Sequence, residues 1–171
     1  YLKGNGKHAA QKFKDGAKLL SYHTARKYDS FVGVLEDEYI MVDIDNYDEA
    51  NIVFDILEDK EIEFSALQTD NGMHFYFKGY ELDRNRIKWY SNIGILADYK
   101  LGTRNTVDPL RINGVTRKWL RRSNNPDPLP IWLYPLQREN PGLLNLEEGE
   151  GRNDKLFTYI LKLQSQGMAK K

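Results

Sequence analysis

The chain has 171 residues, 40% hydrophobic and 29% charged, the size and composition of one ordinary globular domain with a small appendage. Its 25 lysines and arginines balance 25 aspartates and glutamates, so net charge argues neither for nor against a nucleic-acid partner. The lack of cysteine excludes disulfides, thiolate catalysis and cysteine-ligated zinc and fits a reducing cytoplasm, and without a long apolar run or signal-peptide core no membrane partner is expected.

Residues 1–16 are rich in glycine and lysine and read as loop, and residues 17–28 predict a short helix with Leu19, Leu20 and Tyr22 on its apolar side. A short apolar run, Phe31 to Leu35, precedes Glu38 to Asp45 (EYIMVDID). There Ile40, Val42 and Ile44 alternate with Tyr39, Met41, Asp43 and Asp45, which is strand periodicity with the aliphatic set facing a core. Asn46 to Asp48 supply capping residues, and Ala50, Val53, Phe54 and Leu57 then recur at helical spacing, predicting an amphipathic helix that ends near Asp59.

Two strands, Ile62 to Leu67 and Met73 to Tyr80, flank Asp70-Asn71-Gly72, a strong hairpin turn. A further strand runs from Ile93 to Asp98, and a second hairpin is turned by Asn113-Gly114 after Leu110-Arg111-Ile112. Prolines crowd between Pro126 and Pro141, so the compact domain is expected to span residues 1–137. Residues 138–149 then read as a linker and 150–171 as the start of a C-terminal helical element, with Leu156, Tyr159, Ile160 and Leu163 on one face. The start at Tyr1 rather than Met predicts a piece of a longer protein. Elements in this order predict an α+β fold, a mostly antiparallel sheet with helices on one face.

Acids dominate from Glu36 to Glu63, and bases dominate from Lys100 to Arg122, where Arg104, Arg111, Arg117, Lys118, Arg121 and Arg122 face only Asp108 as an opposing charge. Such a layout can present a cation site beside an anion-binding surface; two solvated faces are the plainer alternative. Asp43-Ile44-Asp45 is the most informative tripeptide. Side chains at i and i+2 of a strand share a face, with α-carbons ~6.5–7 Å apart, so the two carboxylates can grip divalent cations between them. Hard oxygen ligands select magnesium or manganese over zinc. Taken alone, the pair is also what an acidic, solvent-exposed strand end looks like.

His74 follows Asn71-Gly72, with Tyr76 and Lys78 on the same strand face, where a histidine and a lysine can hold phosphate oxygens; a half-buried histidine satisfied within the sheet is the plain reading. Asp98 ends an apolar strand and has Lys100 at i+2, offering a third carboxylate and a triphosphate contact. Asp108 competes for that role, but it precedes Pro109 in a loop-like stretch, which favours Asp98. Two-metal phosphoryl transfer wants such a set, carboxylates and phosphate clamps rather than a protein nucleophile. There is no P-loop, G-x-S-x-G or HExxH, and Tyr76 stands where a rolling-circle nickase would need its second histidine.

In order, MVDID, TDNGMHFYF and ILADYKLG resemble motifs I, II and III of the archaeo-eukaryotic primase superfamily, most closely the primase-polymerase domains of phage and plasmid replication proteins. The resemblance covers most of residues 7–166 and implies an RRM-like antiparallel sheet with a smaller flanking αβ unit, the active site lying in the cleft between them. It implies that Asp43, Asp45 and Asp98 hold two Mg2+ or Mn2+ ions and that His74 and Lys100 contact the incoming nucleotide. It implies, too, a single-stranded DNA template, an NTP or dNTP substrate, a fused or associated replicative helicase and a bacterial or archaeal host cytoplasm. Asn71 departs from the Gly or Ser usual in motif II. With no cysteine, the zinc loop of some relatives is not expected. Arg152, in Gly151-Arg152-Asn153-Asp154, matches the start of the helical element and is expected to help bind template or initiating nucleotide, while Lys7 and Lys12 lie where relatives carry bases near the nucleotide. Arg104, Arg111, Arg117, Lys118, Arg121 and Arg122 would track the nucleic-acid backbone, with Trp119 and Trp132 as candidate stacking residues. Two alternatives remain on these residues: a non-catalytic RRM-like module that binds single strands, and a metal-dependent nuclease.

Overall fold

The structure, a computed structural model, describes residues 1–13, 18–104 and 106–137. It is α+β. A hairpin of β1 (Leu2–Asn5) and β2 (His8–Ala9) leads to a short α1 (Tyr22–Ala25), then β3 (Phe31–Val34), β4 (Tyr39–Ile44) and α2 (Tyr47–Asp59). There follow β5 (Ser65–Gln68), β6 (Met73–Lys78), β7 (Arg86–Ser91), β8 (Leu96–Leu101), β9 (Val107–Ile112), β10 (Val115–Thr116), β11 (Trp119–Arg121) and β12 (Pro135–Gln137). A larger sheet has the order β11-β5-β6-β4-β8-β7-β12 and a smaller one the order β10-β9-β3-β1-β2. Every strand pairing among the described residues is antiparallel.

The alternation in β4 decides the layering. Ile40, Val42 and Ile44 are fully buried against Ala50, Val53 and Leu57 of α2 and against Phe64, Phe75 and Phe77. Each such side chain contributes about 1.5–3 kcal/mol on burial, so this face of β4 goes inward. α2 begins where the Asn46 side chain accepts the Glu49 amide at 3.0 Å, and Asp48 and Glu49 in its first turn suit the helix dipole. On the opposite face, Met41, Leu67 and Tyr76 meet Phe31 of β3 and Leu110 of β9 in a second cluster. The larger sheet is thus covered by α2 on one side and by the smaller sheet on the other, and a cleft opens where the two sheets part.

Two turns are as the composition predicts. Asn113 and Gly114 both take positive φ (47° and 85°), which a two-residue hairpin turn requires. At Gly72 a Cβ would lie 1.9 Å from the carbonyl oxygen of Ile44, so only glycine lets the β5–β6 turn approach the end of β4.

Elsewhere the elements differ from expectation. The helix expected over 17–28 is only α1, begun where the Ser21 hydroxyl accepts the Thr24 amide; Leu19 is exposed. β7 has no clean alternation because a bulge places Lys88 at φ 56°. β8 continues past Asp98 to Leu101, since Lys100 and Leu101 pair with Met41 and Ile40. Asp108 and Pro109 lie within β9 rather than in a loop. The expected linker and C-terminal helix lie outside the described residues. No helix among the described residues is long and apolar enough to cross a membrane.

Candidate active site

Strand register assembles the site. Asp43 on β4 stands directly opposite His74 on β6 and directly opposite Asp98 on β8. The alternation that buries Ile40, Val42 and Ile44 under α2 turns Asp43 the other way, onto the floor of a cleft of about 530 Å³. Asp45, just past the strand end, is exposed and lines the same cleft. So do Lys100, Arg117, Asp108, the hairpin residues Lys7 and His8, and the turn from Thr69 to Asn71.

Charges of alternating sign run across this floor. Lys100 Nζ lies 2.6 Å from Asp43 Oδ2 and 3.5 Å from Asp98 Oδ2. His74 Nε2 lies 3.2 Å from Asp43 Oδ1, and His74 Nδ1 lies 3.0 Å from Asp108 Oδ1. Arg117 Nη1 reaches the same Asp108 oxygen at 3.2 Å, and the Tyr76 hydroxyl donates to Asp108 Oδ2. The sequence of partners is therefore Asp98, Lys100, Asp43, His74, Asp108, Arg117. Burying one charge unpaired is costly, and pairing along the row offsets that penalty. Beyond the row, Asp98 Oδ1 accepts the Lys88 amide at 2.9 Å, so the β7 bulge fixes the outer carboxylate.

The ionisation states follow. Burial pushes the Asp43 carboxyl up, but His74 and Lys100 outweigh it and hold it well below the ordinary carboxylate value. Burial pushes His74 down, yet the flanking Asp108 and Asp43 carboxylates raise it to about 9, so the ring is an imidazolium at neutral pH. Lys100 is likewise raised, burial being outweighed by Asp43 and Asp98, and burial beside Asp108 keeps Tyr76 protonated.

Among the described residues no three histidine, aspartate or glutamate side chains converge as a metal cage. The donors that are present fit a divalent cation nonetheless. The Lys100 ammonium already stands as a cation between the Asp43 and Asp98 carboxylates, and the buried Asp43 Oδ1 has only the His74 Nε2 beside it, at 3.2 Å.

The remaining expected residues divide. Lys78 points from the same sheet face but four residues beyond His74, ~13 Å along the strand, where it pairs with Glu38 at 3.0 Å outside the cleft. Arg117 is inside the cleft wall, its side chain 10% exposed, and not on an outer surface. Arg121 is held by Glu58 at 2.8 Å and Glu63 at 3.1 Å and lies over the Phe64 ring. Arg111 donates to the carbonyls of Gly114 and Arg26. Lys118 and Arg122 are exposed, and the Arg122 guanidinium covers the Trp119 ring at 4.8 Å. Trp132 is buried in the core, whereas Trp119 is half-buried against Tyr76. Lys7 reaches Asp70 at 3.7 Å across the cleft mouth, and Lys12 is exposed away from it. Arg104 sits in a 3-10 turn, Gly102–Arg104, after β8; Arg152 lies outside the described residues.

Sequence reasoning weighs Asp108 only as a metal ligand and misses its part as the anchor of His74 and Arg117. A signal is present: in β9, Asp108 and Leu110 form the buried set, and a carboxylate in a buried set demands a cation. Comparison with protein-family models, curated proteins and solved structures gave no match to the chain.

Proposed function

We propose that the chain is a template-directed nucleotidyltransferase, a DNA primase-polymerase of the archaeo-eukaryotic primase type, serving the replication of a phage or plasmid. In this reading the larger sheet is the RRM-like sheet and the smaller sheet with α1 is the flanking αβ unit. One observation carries it: Asp43 is paired across the sheet with His74 on one side and Asp98 on the other, on the floor of a cleft.

Asp43, Asp45 and Asp98 would hold two magnesium or manganese ions through carboxylate oxygens. Bound there, the ions would lower the pKa of an attacking 3′-hydroxyl and neutralise the pyrophosphate that leaves. His74 orients Asp43 through Nε2, and both its ring nitrogens face carboxylates. Lys100, on a flexible stem beside the carboxylates, is the cation best placed to meet a triphosphate. Arg117 adds fixed positive charge to the cleft wall, with its buried Nε unpartnered. A single-stranded DNA template would follow exposed Lys118 and Arg122, with NTP or dNTP as substrate and a fused or associated helicase as partner.

The test incubates the protein with single-stranded template, Mg2+ or Mn2+ and labelled nucleotides, with and without primer. Incorporation that disappears in Asp45→Ala supports the proposal. Magnesium-indifferent strand binding without incorporation would make the chain a binding module, and cleavage of the strand without nucleotides would make it a nuclease.

A further inference from the structure

We infer that Lys100 is an internal counter-ion that competes with divalent cations for Asp43 and Asp98, so that the cation and a polyphosphate bind cooperatively. The inference rests on the reading of those two aspartates as cation ligands.

Antiparallel register puts Asp43 and Asp98 directly opposite each other, which sets their α-carbons ~4.5–5.5 Å apart. Two carboxylates at that spacing need a cation between them. Lys100 supplies it, touching Oδ2 of both at 2.6 and 3.5 Å. A divalent ion that bridges the two Oδ2 atoms must therefore displace the ammonium.

Lys100 is also the member of the row best able to leave. The His74 and Arg117 side chains are 8% and 10% exposed and clamped by Asp108, whereas Lys100 is 28% exposed. Its four-carbon stem carries a compact charge that can swing from carboxylate to phosphate. Without an anion to receive it, the displaced ammonium faces the incoming cation at close range, and binding is weak. A polyphosphate in the cleft gives the ammonium a new partner and frees both Oδ2 atoms. By linkage, whatever factor the polyphosphate adds to cation affinity, the cation returns to polyphosphate affinity; for coupled sites this is ~5–150-fold.

The experiment measures Mn2+ binding by the free-ion electron paramagnetic resonance signal, without nucleotide, for the wild-type chain, Lys100→Met and Lys7→Met. Lys7 lines the mouth of the same cleft and controls for loss of a nearby charge. Lys100→Met is expected to bind Mn2+ at least about tenfold tighter than wild type, and Lys7→Met to change little. Lys100→Gln, made in case the methionine variant misfolds, carries the same expectation, and Mn2+ should raise the melting temperature of either variant more than that of wild type. A second arm compares the melting temperature with Mn2+, with inorganic triphosphate and with both. The wild-type rise with both should exceed the sum of the separate rises, and the excess should be smaller in Lys100→Met, where only direct contact between cation and phosphate remains.

Mn2+ binding in Lys100→Met no tighter than in Lys7→Met overturns the inference, as does absence of Mn2+ binding in every variant. Should wild type incorporate nucleotides while Lys100→Met fails to tighten, the polymerase reading survives and the counter-ion role falls. Tightening without incorporation on any template supports the counter-ion role and removes the polymerase reading.

Discussion

Asp108 of β9 and His74 of β6 meet at 3.0 Å between the two sheets, and the same carboxylate oxygen lies 3.2 Å from Arg117. One acid from the smaller sheet therefore anchors two cations in the wall of the cleft. Removing it by Asp108→Ala leaves two buried cations short of a partner and should cost about 3–5 kcal/mol in denaturant unfolding. Asp108→Asn keeps acceptor and volume and should cost less. Equal losses in the two variants would mean that charge rather than shape is what Asp108 supplies.

The His74 shift makes a pH prediction. Its folded value of about 9 exceeds the ordinary 6.5, so the folded chain holds this proton more tightly than the unfolded chain does. The stabilisation is complete below pH 6.5 and is lost as pH rises through 9. Metal-free protein should accordingly lose roughly 3 kcal/mol across that window. His74→Gln should flatten the loss. Asp43 acts in the opposite sense: its depressed value stabilises the fold above pH 3.8, and that contribution disappears on acidification.

Asp45 separates chemistry from stability better than Asp43 does. Asp43→Ala takes from Lys100 and His74 their shared carboxylate, leaving Lys100 only Asp98 and His74 only Asp108, and should destabilise the chain by about 3 kcal/mol as well as inactivate it. Asp45 is exposed, so Asp45→Ala should change unfolding free energy by no more than about 0.5 kcal/mol. Incorporation should nonetheless fall by about 100-fold or more, as expected on losing a metal ligand worth several kcal/mol in the transition state. Undiminished incorporation in a folded Asp45→Ala protein would remove Asp45 from the site.

Arg121 and Arg122 are neighbours with different tasks. Arg122 is exposed, and Arg122→Ala should weaken single-stranded DNA binding and lower the slope of log affinity against log salt by about 1. Arg121 is spent on Glu58, Glu63 and the Phe64 ring, so Arg121→Ala should lower stability by about 1 kcal/mol and leave the salt slope unchanged.

The legible parts of this chain are those in which a local period and a core agree. β4 and α2 announce themselves because the apolar residues of each recur at the spacing of a strand or a helix, and the two apolar faces meet. Asp43 is readable for the same reason, being placed by the aliphatic residues on either side of it. β7 is not, because Lys88 in a left-handed bulge interrupts the alternation and Arg86 and Lys88 make the segment look like loop. The anchor role of Asp108 is hidden by Pro109, which suggests a turn. In β9 that proline is tolerated opposite Val32 of β3, where the register shifts. Arg121 and Arg122 look alike as basic residues, and only the Glu58 and Glu63 partners of Arg121, far along the chain, distinguish the structural charge from the surface one.

The glycine at position 72 ties the chemistry of the cleft to its scaffold. Because its α-carbon rests against the carbonyl of Ile44, the hairpin tip cannot slide along β4 without a collision, and the His74 ladder is locked to the Asp43 ladder. A one-residue slip would bring isoleucines into the cleft and drive the carboxylates under α2, so deleting a single residue within β4 would destroy core and cleft together. Lys7, in the turn between β1 and β2 at the mouth of the same cleft, lies outside any strand and is under no such constraint. Evolution can thus reshape the rim of this cleft freely while its floor is inherited whole or not at all.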